Sequence, residues 1–374
     1  MGKFSIRRLL LGAAAPVGAL LFALVITSVV LLVTGHSPPQ AYSAMIHAFD
    51  KVRVIIGAVN QAGTYYLAAV AVAVGFKMNL FNIGVDGQYR LAAMLSAAVA
   101  GAGFMSSLPG FLRILITIVV AMVVGAAWAG VAALLKVTRG VSEVISTIML
   151  NAIATFIIAY LLNPARLAVA QGNNVGTKQI TAGGQVSTIA VTGSTTPIYT
   201  LVLLSLLVGI LYALILSRTV FGFSIRATGL SESAAVASGI NVKRMVVAAM
   251  LISGAVAGLV GMPELLNGTS GSYSLNFPTG IGFTGIAVAL LGRNHPLGMA
   301  LAALLWSALD SSSNALQGVQ VPRELVTIMQ GVIVLSVVVA YELVRRYRIV
   351  LEQKDVARAL SAAPPTHAGM ELAS

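Results

Sequence analysis

The sequence predicts an all-α membrane protein of about ten transmembrane helices, arranged as two inverted repeats, with one short helix on the cytoplasmic side. Three observations lead there. The 374 residues are 58% hydrophobic and only 9% charged, where a soluble domain carries about 25% charged residues. About ten stretches approach the roughly 20 apolar residues that cross a bilayer core. Of the 23 Lys and Arg, sixteen fall on one set of loops and six on the other, which marks the richer set as cytoplasmic.

Residues 3–8 are basic, and the apolar run that follows extends from Leu9 to Val33. A signal-peptide core is about 7–15 residues, so this longer run reads as a retained first helix with its N-terminus inside. The complete set of stretches is 9–34, 52–76, 84–106, 111–135, 141–162, 198–217, 245–266, 281–292, 296–317 and 323–344. The third opens with Asp86, Gln88 and Arg90, which weakens it as a span. The eighth is short and interrupted by glycine, as a half-helix would be. Ten crossings put both termini in the cytoplasm.

Residues 1–351 thus form a transmembrane domain, and 352–374, with Pro364-Pro365, read as a disordered cytoplasmic tail. The external loop 163–197 is polar and rich in Gly, Thr, Asn and Gln. Loops of that length are uncommon unless functional or disordered, so a dock for an external protein stands beside a plain connector as its reading.

The segment 218–244 is a basic interruption between two apolar spans. It contains a short helix with its own start and stop signals. Ser231 is a suitable N-cap, Glu232 suits the first turn, and Gly239 can end the helix in a left-handed turn. A two-turn helix on the positive side of a membrane protein suits docking to a soluble cytoplasmic partner.

Each half also holds a polar, glycine-rich break: 79–88 in the first and 280–285 in the second. Paired interruptions of this kind point to a transport site between inverted repeats. Candidate pathway or gate residues are Asn79, Phe81, Asn82, Asp86 and Gln88, with Gly282, Phe283 and Thr284. Neutral amides both donate and accept hydrogen bonds, which suits an uncharged polar solute such as a sugar or nucleoside. Phe81, Tyr89, Phe283 and Tyr65 could stack on a base or sugar ring, or simply pack. Asp86 can pair with Arg90 one turn on, which leaves a gating role open. Glu143 has Arg139 near it in sequence as an ion-pair partner. Asn151, Glu264, Asn267 and Asp310 are further polar groups in or near the membrane, where such groups are functional candidates. The Gly254–Gly258 face, with Gly261, allows two helices to approach closely.

Other chemistries are excluded by what is missing. There are no cysteines, hence no disulfide, thiolate metal site or cysteine nucleophile. The four histidines are scattered, and neither His-Glu-x-x-His nor Gly-x-Ser-x-Gly occurs. The run Gly172–Lys178 has the wrong spacing for a phosphate-binding loop, so the chain carries no ATP site of its own. The net charge of +12 is spread over membrane-flanking loops, and no nucleic-acid partner is expected.

Three blocks together resemble a known family. They are Gly222-Phe-Ser-Ile-Arg-Ala-Thr-Gly229 with Ala234-Ala235, Gly239-Ile240, Arg244 and Ser253–Gly261; Gly280–Gly292 with Pro296 and Gly298; and Phe81–Gln88. They are similar to permease subunits of the branched-chain amino acid/ribose type of ABC importer. The third block is similar to the nucleoside and simple-sugar branch, which works with a basic-membrane-lipoprotein type of binding protein. Position 86 often holds Glu there, so Asp keeps the acid.

The resemblance implies a multi-pass permease in the cell membrane of a prokaryote, embedded in lipid, that is not itself an enzyme. It implies an external binding lipoprotein, a second permease subunit that is often a different chain, and cytoplasmic ATPase subunits holding ATP and Mg. Residues 229–239 would then be the coupling helix, with Arg226, Gly229, Ser231, Glu232, Ala234, Ala235, Gly239 and Ile240 at the ATPase. Nucleosides or related solutes are the expected cargo, with a simple sugar as the alternative. A carrier driven by ions through Asp86 or Asp310 is the reading from another class, and it has no use for an ATPase dock.

Overall fold

A computed structural model describes residues 6–172, 174–267, 270–322 and 324–362. The described residues form two compact units, one within 39–326 and a second made of 6–38 with 327–362. The second unit holds α1 (Ile6–Val33) and most of α14 (Glu324–Ala362). Helix α14 therefore runs through the first part of the expected tail, and residues 363–374 lie outside the described residues.

The larger unit contains α2 (Pro38–His47), α3 (Val52–Phe76), α4 (Val85–Ala100), α5 (Gly110–Arg139) and α6 (Glu143–Leu161). After the loop 163–197 come α7 (Val202–Arg218), α8 (Val220–Leu230), α9 (Glu232–Ala237), α10 (Val242–Leu259), α11 (Met262–Leu266), α12 (Ile281–Leu291) and α13 (Pro296–Leu316). Every apolar stretch read from the sequence holds a helix. Among the described residues, however, only five helices are long and apolar enough to cross a membrane, or seven if two broken pairs each count as one span. The expected ten crossings are therefore not reproduced. Helix α4 has 16 residues and α12 has 11. At about 1.5 Å per residue both fall short of a core about 30 Å thick.

Helix α3 is the centre of this unit. Its residues 62–75 are all buried, and it packs against α7, α10, α12 and α13. Helices α5 and α6 lie at the periphery. They expose Val119, Val123 and Leu134, and Ile145, Met149 and Phe156, an apolar surface suited to lipid.

The tightest packing joins α5 to α10. A Cβ on Gly254 would meet the Gly125 carbonyl oxygen, one on Gly125 would meet that of Gly254, and one on Gly258 would meet that of Ala121. Small residues four apart on both helices let the backbones touch, and this is how helices associate where lipid removes the hydrophobic drive.

The loop between α6 and α7 holds the strands found among the described residues. Strands β1 (Ala168–Gln171) and β2 (Asn174–Thr177) form one antiparallel hairpin, and β3 (Thr188–Ile189) pairs with β4 (Ile198–Tyr199). Gly172–Lys178 thus belongs to a hairpin and not to a strand–loop–helix phosphate site. The amide of Asn60 on α3 clamps the loop's far end, donating to the Pro197 carbonyl and accepting from the Tyr199 N–H, each at 2.9 Å. Thr177 and Ile180 donate backbone bonds to Tyr273 and Gly271, which ties the loop to the segment before α12.

Candidate functional site

The two breaks meet. The first begins where α3 ends in a left-handed cap: Asn79 has φ of 54°, and Leu80 N–H reaches back to the Gly75 carbonyl at 3.0 Å. Asparagine tolerates this conformation better than most residues. The chain then turns into α4.

The turn is held by amides. Asn82 Nδ2 donates to Gln88 Oε1 at 3.0 Å and to Ser253 Oγ at 2.8 Å. Its Oδ1 accepts from Gln88 Nε2 at 2.9 Å and from Gly84 N–H at 3.1 Å. Ser253 in turn donates to the Ala71 carbonyl at 2.6 Å. Asn82 and Gln88 are fully buried, and the Asn82 side chain has all of its hydrogen-bonding capacity filled. On α6, Asn151 bonds both sides of the same turn, donating to the Ile83 carbonyl and accepting from Gly87 N–H.

Asp86 lies in the first turn of α4 and reaches the second break. Its Oδ1 accepts from Gly282 N–H at 3.3 Å, at the start of α12. A carboxylate suits the positive end of a helix. The approach requires glycine, because a Cβ on Gly282 would overlap the backbone of Asp86. Gly280, at φ 83°, caps α12 just before it. Asp86 Oδ2 also faces Arg90 Nη1 at 3.7 Å, so the expected pair forms, and Arg90 continues to Thr155 Oγ1. Tyr89 is fully buried and donates to the Pro278 carbonyl at 2.8 Å.

The short helix α9 has the expected ends. Ser231 accepts from Ala234 N–H, Glu232 lies in the first turn, and Gly239 has φ of 81°. Ile240 N–H returns to the Ala235 carbonyl at 3.0 Å, which closes the helix. Ala235 is buried while Glu232 and Ala234 are exposed. Gly229, at the end of α8, accepts from Asn79 Nδ2 at 2.7 Å. Burial, and after it the charge of Arg226, lowers the affinity of Lys77 for its proton.

The remaining candidates are placed as follows. Phe81 and Phe283 are about half exposed, at 48% and 53%, and Thr284 is partly exposed. Tyr65 is buried, and its hydroxyl donates to Asp310. Glu143 pairs with Lys136 at 2.6 Å and not with Arg139. Helix α5 ends at Arg139 and the chain reverses at Gly140, which turns α6 back along the face carrying Lys136. Glu264 receives the Ser270 hydroxyl. Sequence reasoning singled out Asn151 as an amide in the membrane but not its role in the turn. It noted Ser253 only within a glycine-rich block and missed Lys136 and Thr155.

Residues 54–338 match the model of a family described as the permease component of branched-chain amino acid transport systems. The chain belongs to this family. It is accordingly a multi-pass membrane permease, a transport subunit and not an enzyme. The permease is 32% identical over 336 residues to the nucleoside ABC transporter permease NupB of Lactococcus lactis, covering 87% of this chain and 90% of that protein. It is 31% identical over 328 residues to the guanosine ABC transporter permease NupP of Bacillus subtilis, covering 87% and 93%. It is 30% identical over 352 residues to the glucose ABC transporter permease TsgB13 of Haloferax volcanii, covering 91% and 90%. No solved structure matches it significantly.

Proposed function

We propose that this permease forms the translocation pathway for nucleosides in an ATP-driven importer of a prokaryotic cell membrane. The observation that carries the reading is the meeting of the two breaks, at Asp86 and Gly282, on a turn that is bonded through Asn79 to the α8–α9 corner. A dock for a cytoplasmic engine is thereby joined to the place where the spans are interrupted. The nucleoside and guanosine permeases among the relatives support the choice of cargo.

We place the solute role elsewhere within the candidate set. Asn82 and Gln88 bond each other and hold the turn, so they set the gate's shape. Phe283 and Thr284, at the rim of the second break, offer a ring face for stacking and a hydroxyl for a polar solute. Residues 229–239 act as the coupling helix, through Arg226, Ser231, Glu232, Ala234, Ala235 and Ile240, and meet an ATPase that holds ATP and Mg. The importer also comprises an external binding lipoprotein and a second, different permease chain. The helices form ten membrane segments in two inverted repeats, α4 and α12 being the short member of each, with both termini cytoplasmic. The glucose permease among the relatives favours a simple sugar as the second reading.

Uptake in proteoliposomes that contain the permease with its partner subunits and binding protein tests this. Labelled guanosine should accumulate with ATP on the ATPase side, and glucose should not compete. Competition by glucose in excess selects the sugar. Accumulation that survives removal of the ATPase and collapses with an uncoupler overturns the importer.

A further inference from the structure

We infer that Asn79 is a positioning residue that transmits movement between the α8–α9 corner and the first break, and that it does not touch the solute. The inference rests on the importer reading above and adds the link between its two ends.

Four observations converge on this residue. Asn79 caps α3, the buried central helix, in the left-handed region at φ 54°. Its side-chain amide donates to the Gly229 carbonyl at 2.7 Å, across 150 residues of chain. At the same corner a Cβ on Gly229 would meet the Lys77 carbonyl oxygen and lie 3.1 Å from the Met78 Cα, so the end of α8 and the end of α3 touch backbone to backbone. From Asn79 the chain runs through Leu80, which is 3% exposed, into the amide-locked turn of Asn82 and Gln88 and on to Asp86. Displacement of α8 is therefore delivered to α3's cap and to the turn that sets Asp86 against α12. Coupling needs a contiguous element that both ends bias, and this contact supplies the joint. Asn79 is itself exposed, so the bond competes with water and its net worth is modest, as suits a joint that is remade each cycle.

Two variants separate the side-chain bond from the backbone. Asn79→Asp keeps the size and tolerates positive φ but has no N–H to donate. Asn79→Gly takes the same backbone conformation freely and has no side chain. Both should insert and assemble. In proteoliposomes carrying the full importer, with labelled guanosine as the probe, ATP hydrolysis should stay within about two-fold of wild type. Solute moved per ATP should fall about five-fold, the order expected from losing one neutral hydrogen bond. The half-saturating guanosine concentration should be unchanged. A raised half-saturating concentration with normal solute per ATP would make Asn79 a solute contact and overturn the inference. Normal coupling in both variants also overturns it and leaves the importer standing. Wild-type uptake that needs no ATP removes the importer reading and this inference with it.

Discussion

Gly282→Ala tests the meeting of the two breaks. The added Cβ would overlap the Asp86 backbone nitrogen and lie 2.7 Å from its Cα and 2.9 Å from its Cβ. Ordinary contact begins near 3.4 Å, so α12 must withdraw from α4 by about 1 Å in a close-packed interior. The Asp86 Oδ1 to Gly282 N–H bond, 3.3 Å at rest, then stretches beyond bonding distance. A hydrogen bond to a charged group is worth about 1.5–3 kcal/mol, and overpacking adds about 1–3 kcal/mol. The two together come to about 2.5–6 kcal/mol. Asp86→Asn is the control: it keeps an acceptor at the same place and removes only the charge, so its effect should be smaller. Thermal unfolding of the purified assembly reads the stability, and initial uptake rate at fixed subunit content reads the gate. Gly282→Ala should lower the unfolding midpoint by several degrees and reduce uptake at least ten-fold, with Asp86→Asn milder on both. A Gly282→Ala variant with native midpoint and uptake would show that the two breaks do not touch in the working protein.

Three further outcomes follow from other contacts. Asn82→Leu strands the Gln88 side chain and removes a partner of Ser253 in a buried site, at about 1–3 kcal/mol per unsatisfied group, so it should abolish uptake, whereas Glu143→Gln, which keeps an acceptor for Lys136, should reduce it about two-fold or less; similar uptake in the two would discount the amide lock. Gly258→Leu forces α10 from Ala121 on α5 and should leave a chain that inserts but is cut rapidly by protease in detergent, with unchanged digestion counting against that interface. Ser231→Ala removes the α9 cap, worth about 1 kcal/mol, and should weaken binding of the ATPase subunit in a pull-down titration without altering insertion; equal affinity would separate α9's order from docking.

Much of the fold was legible because its signals are local. Apolar runs mark α3 and α5, and the Ser231 cap and Gly239 turn are written within a few residues of the helix they bound. The small-residue face at Gly254 and Gly258 announced a close contact. Its partner, the Ala121–Gly125–Ala129 side of α5, did not stand out in a helix rich in small residues. Other readings failed where distance along the chain misled. Glu143 was paired with the nearest arginine, but the turn at Gly140 gives it Lys136. Asn82 and Gln88 were read as pathway or gate residues, and single residues do not reveal that their amides face each other. Polar composition did not reveal that the loop 163–197 holds hairpins tied down by Asn60 and by residues far along the chain.

Composition, charge and local capping signals by themselves determined that this protein lives in a membrane and has a capped helix between its sixth and seventh apolar stretches. These properties follow from residue type and short-range periodicity. Tertiary structure alone decided that the breaks meet at Asp86 and Gly282, that Asn82 locks a turn, and that Asn79 reaches Gly229. Those contacts join groups 150 or more residues apart. They exist only once close helix packing has excluded water and left each buried polar group the neighbours it must bond.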